Sequence, residues 1–509
     1  MIASRRGRSR AAVVGAGLFA AVAGPAAAET LADAIAMAYE SNPTLQAQRS
    51  IQRALDETYV QARSGWRPTL SAGVSDTFNE TRIPGARGFV DTNGDGIVDT
   101  LASTSIQERY TANAFLQLSQ PLYTGGRVAA AVSGAEGDIL AGRENLRRVE
   151  SQVLGNVIQS YLDVRRDQEG LRIRQENVGV LQRQLDESKA RFDVGEITRT
   201  DVAQSQARLA AAVSQLQSAQ AQLATSRANY AAAVGRNPGE LAPEPSLAGL
   251  LPADVDKGFD VAEQNNPQIR AAQYTEQASR ARVAGAKAER LPQVSLSATY
   301  GFSGAGRSID TDTYAQNITA RANVSVPLFS GGLVSSRIRQ QVERNTTDRI
   351  TIESARRAVL QSLTQSWNQL LAARANITSS DEQVRAALIA AEGTRQEQQV
   401  GLRTTLDVLN AEQELRQAQL SQIAARHDEY IAAAGVLNAM GRLEAKNLTP
   451  ATPRYDPKTH FGKLRMTWGW VPWEEPIAIV DSALIPKPVE KPVEGPVVAA
   501  PPPAAPATP

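Results

Sequence analysis

Two kinds of hydrophobic pattern alternate along the chain. Apolar residues occupy every second position in short runs at 70–74, 112–118, 294–302 and 318–326. A period of two predicts β-strands with one apolar and one polar face. Each predicted strand is about 10 residues long, which suits a tilted strand that crosses a bilayer. A soluble sandwich with one wet face is the alternative interpretation.

Helical patterns fill the sequence between the strand pairs. Two equally long intervals without proline run from Gly126 to Gly195 and from Gly332 to Gly401. Apolar steps of three, four and seven residues at 202–234 and 363–388 are typical of antiparallel coiled-coil helices. As single helices, the two intervals would each extend about 100 Å. Shorter helical segments are predicted at 30–65, 201–235, 254–289 and 407–441.

The two halves of the chain repeat one another. Asn42-Pro43 recurs as Asn266-Pro267 at an offset of 224, whereas residues 121–126 match residues 327–332 at an offset of 206. The change of offset places an 18-residue insertion between the first two strands. Such self-similarity predicts an internal structural duplication. Each unit would run short helix, two strands, long helix and short helix.

These patterns divide the chain into four parts. Residues 1–28 are a predicted signal peptide, because arginines precede an apolar stretch that ends in a small-residue cleavage site. The first repeat is predicted at 29–245 and the second at 246–449. Residues 450–509 are rich in proline and are predicted to be disordered.

Three tryptophans interrupt the predicted tail. Trp468, Trp470 and Trp473 lie within a segment that is otherwise typical of a linker. They indicate either a docking patch or only a remnant of hydrophobic character in the linker.

Composition narrows the classes of function. The chain has 54 Lys and Arg against 53 Asp and Glu, no Cys, and only His427 and His460. The net charge of +1 gives no general attraction for nucleic acid. Without Cys and with only two His, the chain has almost no side chains that could form disulfides, thiolate or imidazole metal sites, or Ser-His-Asp triads. A carboxylate-based hydrolase would need a pair of acidic residues in a plausible cleft, and the sequence shows none. We therefore expect no enzyme activity.

The insertion contains a candidate metal loop. Asp91, Asn93, Asp95 and Asp99 place side-chain oxygens at positions 1, 3, 5 and 9 of a loop with the spacing of an EF-hand. Ala102 stands at position 12, where such loops have a bidentate Glu. Asn, Asp and Gly also form ordinary turns. The alternatives are therefore a weak calcium site and a plain hydrophilic loop; no other cofactor is expected.

A membrane role for the strands would require several chains. After the predicted signal peptide, the sequence contains no stretch of 18 uninterrupted apolar residues. It therefore predicts no membrane-spanning helix. A membrane sheet must close because unpaired backbone groups have no water to bond. Four strands are fewer than the roughly eight of the smallest barrels, whereas three chains would supply about 12.

The repeated unit resembles the TolC family of bacterial outer-membrane exit ducts over residues 30–448. The resemblance depends on two strand-to-helix joints, 120–126 and 326–332, and two helix turns, 195–202 and 401–408. It implies a mixed α+β membrane protein: a homotrimeric 12-stranded barrel in outer-membrane lipid, continued by a long periplasmic helical barrel. It also implies type I protein secretion, multidrug efflux or both. A periplasmic adaptor and an inner-membrane pump of the ABC or RND type would open the duct.

The resemblance assigns roles to particular residues. Asp407 falls where the family places a pore-facing carboxylate, and Asn410 stands where a second acid is often found. The links that hold the periplasmic tip shut are expected from Thr200, Asp201, Arg403 and Gln398. The strand–helix joints are marked by Pro121, Gly125, Gly126, Pro327, Gly331 and Gly332.

Two alternatives stand beside these assignments. Asp201 and Asp407 begin predicted helices, where Asp and Thr are ordinary capping or first-turn residues. A ring of Asp407 carboxylates around a pore axis would instead concentrate negative charge, as in other channels. For the whole chain, the runner-up is a periplasmic coiled-coil structural or tethering protein whose strands stay soluble.

Overall fold

The computed structural model describes residues 28–91, 94–97, 99–306, 312, 314–464, 468, 470–483 and 485–490, without the side chains of 85–90 and 99–105. The predicted signal peptide lies outside these residues except for Ala28, and so does the tail beyond Glu490.

The same order of elements occurs in each half of the chain. The first half contains α1 (Leu31–Ser41), α2 (Pro43–Arg63), β1 (Thr69–Val90), β2 (Asp99–Tyr123), α3 (Arg127–Asp193) and α4 (Arg199–Val234). The second half contains α5 (Val255–Asn265), α6 (Pro267–Ala288), β3 (Gln293–Gly304), β4 (Ala315–Ser325), α7 (Leu333–Gln399) and α8 (Thr405–Ala439). They are followed by α9 (Ala445–Leu448), α10 (Pro457–Leu464) and α11 (Glu475–Ser482).

The two long helices are confirmed. Both α3 and α7 have 67 residues, so each extends about 100 Å at 1.5 Å per residue. They reverse direction at Gly195 and Gly401, which both have a φ of 80°. This left-handed conformation favours glycine at the turn. The strands therefore lie at one end of the long helices, and the helix reversals lie at the other.

The segments predicted as single helices at 30–65 and 254–289 are each two helices, so that prediction was wrong. The break falls at Asn42-Pro43 and at Asn266-Pro267, where the proline occupies the first turn of the second helix. The oxygen of the Asn42 side chain accepts from Thr44 N–H at 3.0 Å, and its amide donates to the carbonyl of Ala233. Each asparagine therefore caps one helix and ties it to the end of another.

All four predicted strands are present in one antiparallel sheet of order β1-β2-β3-β4. The register pairs Leu116 with Tyr300 and Tyr300 with Ile318, which keeps the apolar residues on one face. However, β1 has 22 residues and β2 has 25. The 18-residue insertion mostly lengthens this hairpin, whose pairing continues to Val90 and Asp99. The expectation of a loop was therefore wrong for most of the insertion, and only the segment between Val90 and Asp99 connects the two strands.

The helices form a layer with α3 inside it and α7 at its edge. In α3, which packs against α2, α4, α6 and α8, 27 of 67 residues are buried; in α7, which is equally long and fully described, 10 are buried. Tyr161 and Tyr230 belong to the main core cluster, which joins α3 to α4. Among the described helices, none has a stretch that is long and apolar enough to cross a membrane.

Part of the predicted disordered tail is folded, which corrects the prediction for residues 457–464 and 475–482. Both segments are helical and lie against α2 and α3. Glu474 is completely buried, and its carboxylate pairs with Arg63 at 2.6 Å and with Arg67 at 2.8 Å. The composition of this tail segment predicts that it has no hydrophobic core of its own. It is held against α2 and α3 by buried ion pairs and by a small apolar cluster around Trp66.

Candidate functional site

The strand–helix joints depend on paired glycines. Gly125 and Gly126 have φ values of 69° and 87°, and Gly331 and Gly332 have 58° and 85°. Only glycine adopts this left-handed region freely, so each pair lets the chain turn from strand to helix. Pro121 lies near the end of β2, where the register shifts, and Pro327 lies two residues after the end of β4. The structure thus places all six predicted joint residues at the two junctions.

The first joint is held by a residue that the sequence analysis missed. The Asp481 carboxylate accepts hydrogen bonds from the backbone of Thr124 and Gly126, both at 2.9 Å, and from the indole of Trp66 at 3.1 Å. Burial alone would raise the pKa of Asp481, but the hydrogen bonds from these groups outweigh burial and lower it below 3.8. A tail residue therefore caps the start of α3.

The second joint lacks this cover in the described chain. Leu328 and Phe329, which match Leu122 and Tyr123 of the first joint, are 93% and 91% exposed. The two joints therefore share a sequence motif but differ in their surroundings.

Two matching capping boxes shape the helix reversals, which we call the tip (residues 194–198 and 400–404). The Asp201 carboxylate accepts from Thr198 N–H at 2.9 Å, and the Asp407 carboxylate accepts from Thr404 N–H at 3.0 Å. The threonine hydroxyl of each box also donates to the aspartate carboxylate, at 2.8 Å in both cases. Asp201 and Asp407 are therefore first-turn capping residues, as one interpretation predicted.

Capping leaves the Asp407 carboxylate charged and accessible. Hydrogen bonds from the backbone and hydroxyl of Thr404 hold the pKa of Asp407 below 3.8, and the nearby positive charge of Arg403 acts in the same direction. Arg403 itself donates to Glu397 at 2.8 Å. At neutral pH this turn thus presents an ionised carboxylate beside an arginine that is already paired within its own turn.

A polar link joins α4 to α8 just behind the tip. Arg208 donates to the side-chain oxygen of Asn410 at 3.0 Å and also contacts Gln413. Sequence reasoning missed Arg208, because its partners lie about 200 residues away and no local pattern marks it. The structure thus brings Asn410 to an arginine of the first half.

The remaining predicted gate residues lie in or next to the tip. Thr200 is exposed on the first turn of α4, beside Asp201, and Gln398 is buried at the end of α7. The structure gives Arg403 a partner on its own turn, as described above, and no hydrogen bond of the described residues joins Arg403 to Thr200 or Asp201.

The described part of the insertion loop is a hydrogen-bonded turn. The Asp91 carboxylate accepts from the N–H groups of Gly94 and Gly96, at 2.7 and 2.9 Å, and Asp95 accepts from Ile97 N–H at 2.8 Å. Asn93 lies outside the described residues, and Asp99 begins β2 with its side chain undescribed. The described residues contain no group of three acidic or histidine side chains that could hold a metal. These bonds are those of an ordinary Asp-containing turn, and the calcium site stays a prediction.

Calorimetry on the purified protein should show no saturable heat on addition of calcium. The reason is that the described carboxylates already accept backbone hydrogen bonds and position 12 has no Glu. A saturable heat that disappears in the Asp91→Ala variant would contradict this expectation and support the calcium interpretation.

Comparison with known proteins identifies the family. The model of the family described as "Outer membrane efflux protein" matches residues 34–236 and 259–442. The chain belongs to the outer membrane efflux protein family. The Outer membrane efflux protein BepC of Brucella suis biovar 1 is 32% identical over 450 residues, which cover 87% of this chain and 92% of BepC. The resemblance to the TolC family is confirmed by these matches.

Other matches agree with this family. The Alkaline protease secretion protein AprF of Pseudomonas aeruginosa is 26% identical over 342 residues, covering 65% of this chain and 70% of AprF. The crystal structure of the Campylobacter jejuni CmeC outer membrane channel superposes with a TM-score of 0.69 at 14% identity, covering 85% of this chain and 88% of CmeC. CmeC therefore supports the fold.

Membership of the outer membrane efflux protein family fixes the class and location of the protein. It is an outer-membrane channel protein that extends into the periplasm. Members of this family are channels and not enzymes. A channel is therefore favoured over the periplasmic tether considered from the sequence alone.

Proposed function

We propose that three copies of the chain form one duct across the outer membrane and the periplasm. The observation that carries this proposal is a four-stranded sheet with one apolar face and open edges at β1 and β4. Edges cannot stay unpaired in lipid, and pairing β4 of one copy with β1 of the next closes a barrel. Three copies give about 12 strands, which lies within the range of outer-membrane barrels.

The helical layer supports the same assembly. The edge helix α7 buries far fewer residues than α3, although the two helices are equally long. A neighbouring copy beside α7 would cover this surface, in the way that α4 and α6 cover α3. A ring of such layers would be a tunnel about 100 Å long.

We also propose that the two halves arose by internal duplication. The order of elements is the same in each half, and one family model matches the chain twice, at 34–236 and 259–442. The boundaries at 29–245 and 246–449 follow this division, with the folded part of the tail as an addition to it.

The tip is the proposed gate. An Asp407 ring with Asn410 behind it would form the constriction, and links within and between copies would hold the tip closed until a periplasmic adaptor and an inner-membrane pump engage it. The energy for transport would come from the pump, of the ABC or RND type. The names of BepC and AprF favour efflux and protein secretion, respectively, as the two candidate activities.

Replacing Arg208 by alanine should increase the open time of purified channels in planar bilayers about tenfold, because the change removes the α4–α8 link to Asn410 and Gln413. Arg385→Ala is the matched control, since Arg385 pairs only locally with Glu382 in an exposed position. Equal gating in both variants would show that this link does not hold the tip.

Cell fractionation tests the proposed duct as a whole. The chain should be found in the outer membrane, and unheated samples should migrate as a trimer band that heating converts to monomer. A soluble periplasmic chain, or a single band that heating does not change, would contradict the proposal. Deleting the gene and comparing secreted proteins with drug tolerance would then separate the two candidate activities.

A further inference from the structure

The folded tail buries two carboxylates and exposes several large apolar side chains, while the side chain of Glu475 is 43% exposed and Ala478 is buried. Between residues 472 and 483, the carboxylates of Glu474 and Asp481 are buried. The exposed positions of this segment, which we call the apolar tail face, are Pro472, Trp473, Pro476, Ile479, Val480 and Ala483. A segment that faces water has the opposite arrangement. This inversion indicates that something other than water covers the apolar tail face.

The position of this face along the molecule is fixed by Asp481. Its carboxylate binds Thr124, which follows the last residue of β2, and Trp66, which lies three residues before β1. The apolar tail face therefore lies at the level where the strands end and the helices begin. If the strands cross the outer membrane, as in the proposed function on which this inference rests, that level is the periplasmic surface of the membrane.

The tail crosses one face of the helical layer, where its contacts run from Arg63 of α2 over α3 to α6. The side chain of Trp66 and the first turn of α3 pack against Ala478, and the N–H of Val489 donates to Gln277 of α6 at 2.9 Å. A second copy would join at the two edges of the layer, formed by β1 with α2 and by β4 with α7. The apolar tail face lies on the side of the tail opposite to its contacts with α2 and α3, so it faces out from the layer and not along the layer toward a neighbouring copy.

Two environments remain for this face, the lumen of the duct and the membrane. A water-filled lumen gives no stabilisation to an exposed tryptophan, isoleucine and valine. Tryptophan is enriched at membrane–water interfaces, and short amphipathic segments bury their apolar side at the boundary between headgroups and acyl chains. We propose that the apolar tail face inserts into the periplasmic leaflet of the outer membrane and anchors the strand–helix joint there.

Site-specific lipid quenching tests this proposal, because the chain has no cysteine of its own. Three variants carry the same substitution at similarly exposed positions: Ile479→Cys on α11 (68% exposed), Ile318→Cys on β4 (76%) and Ile389→Cys on α7 (72%). Each is labelled with bimane and reconstituted into phosphatidylethanolamine nanodiscs. The lipids carry a nitroxide either near the headgroup or deep in the acyl chain.

The proposal predicts a different result at each site. The label at 479 should lose about half of its fluorescence with the shallow nitroxide and less with the deep one, since an interfacial segment sits about 5–10 Å into the boundary. The label at 318 should be quenched in the membrane strand. The label at 389, about 80 Å along α7 from the strands, should be quenched by neither lipid. Val480→Cys should repeat the result of 479.

Each contrary outcome has its own meaning. Quenching at 318 without quenching at 479 and 480 would overturn the membrane anchor and leave the proposed duct intact. Iodide would then show whether water reaches the label or a second copy covers it, and either result counts against the anchor. Absence of quenching at 318 would overturn the membrane-spanning strands and, with them, the proposed function.

Discussion

Replacing Asp481 by alanine should lower the free energy of unfolding by about 3 kcal/mol per chain, the largest stability effect that we expect from a single substitution. The change removes the carboxylate that accepts from Thr124, Gly126 and Trp66, and it leaves these donors buried without a partner. Thermal conversion of the trimer band to monomer, followed with both proteins side by side, measures the loss. Glu490→Ala is the control, because the side chain of Glu490 is 47% exposed and its ion pairs with Lys458 at 2.9 Å and Arg143 at 4.0 Å should together contribute less than about 1 kcal/mol.

The loss should also depend on pH in a defined direction. The pKa of Asp481 is lower in the folded chain than its ordinary value of 3.8. Its contribution is therefore complete above about pH 3.8 and is lost as the pH falls through the lowered folded pKa. The difference between the wild type and Asp481→Ala should be constant near neutrality and shrink below pH 4. A difference that grows on acidification would contradict the assigned role of this carboxylate.

Replacing Asp407 by asparagine should weaken the block of the channel by multivalent cations about tenfold, because the attractions of the carboxylates in a ring add together. Asparagine keeps a side-chain oxygen for the capping box with Thr404 and removes only the charge. Single-channel conductance in planar bilayers, with hexaamminecobalt added on the side of the tip, measures the block. Asn410→Asp should have the opposite effect, since it adds one charge per chain.

Asp201→Asn separates the pore role of Asp407 from its capping role. Asp201 forms the same capping box with Thr198, so the two asparagine variants make matched changes in helix capping. If Asp407 acts only as a cap, both variants should leave cation block unchanged. If Asp407 lines the constriction, block should weaken in Asp407→Asn to a larger extent than in Asp201→Asn.

The elements with a regular hydrophobic period could be predicted from the sequence. The lack of proline located α3 and α7, the heptad pattern indicated α4 and α7, and alternation located the strands around Leu116 and Tyr300. The length of the first hairpin could not be predicted, because β1 continues through a segment that contains Pro84 and Gly85 and has no clear alternation. The helix breaks coincide with the repeated Asn-Pro motifs at Asn42 and Asn266, where the proline begins a new helix.

The residues that depend on distant partners were the ones that sequence reasoning missed. Asp481 and Glu474 sit in a proline-rich tail, and their partners Trp66 and Arg63 are more than 400 residues away. Buried charges of this kind have no periodic signal, since their position is set by the groups that satisfy them. By contrast, the capping role of Asp407 was predictable, because Thr404 lies only three residues away.

Cryo-electron microscopy of the purified full-length chain in lipid nanodiscs tests the central claim most directly. The account predicts three copies around one axis, with β4 of each copy hydrogen-bonded to β1 of the next in a closed barrel of 12 strands within the disc. The helices would continue as a single tunnel that ends at a ring of Asp407 residues. A different number of copies, or a sheet that stays open outside the lipid, would contradict it.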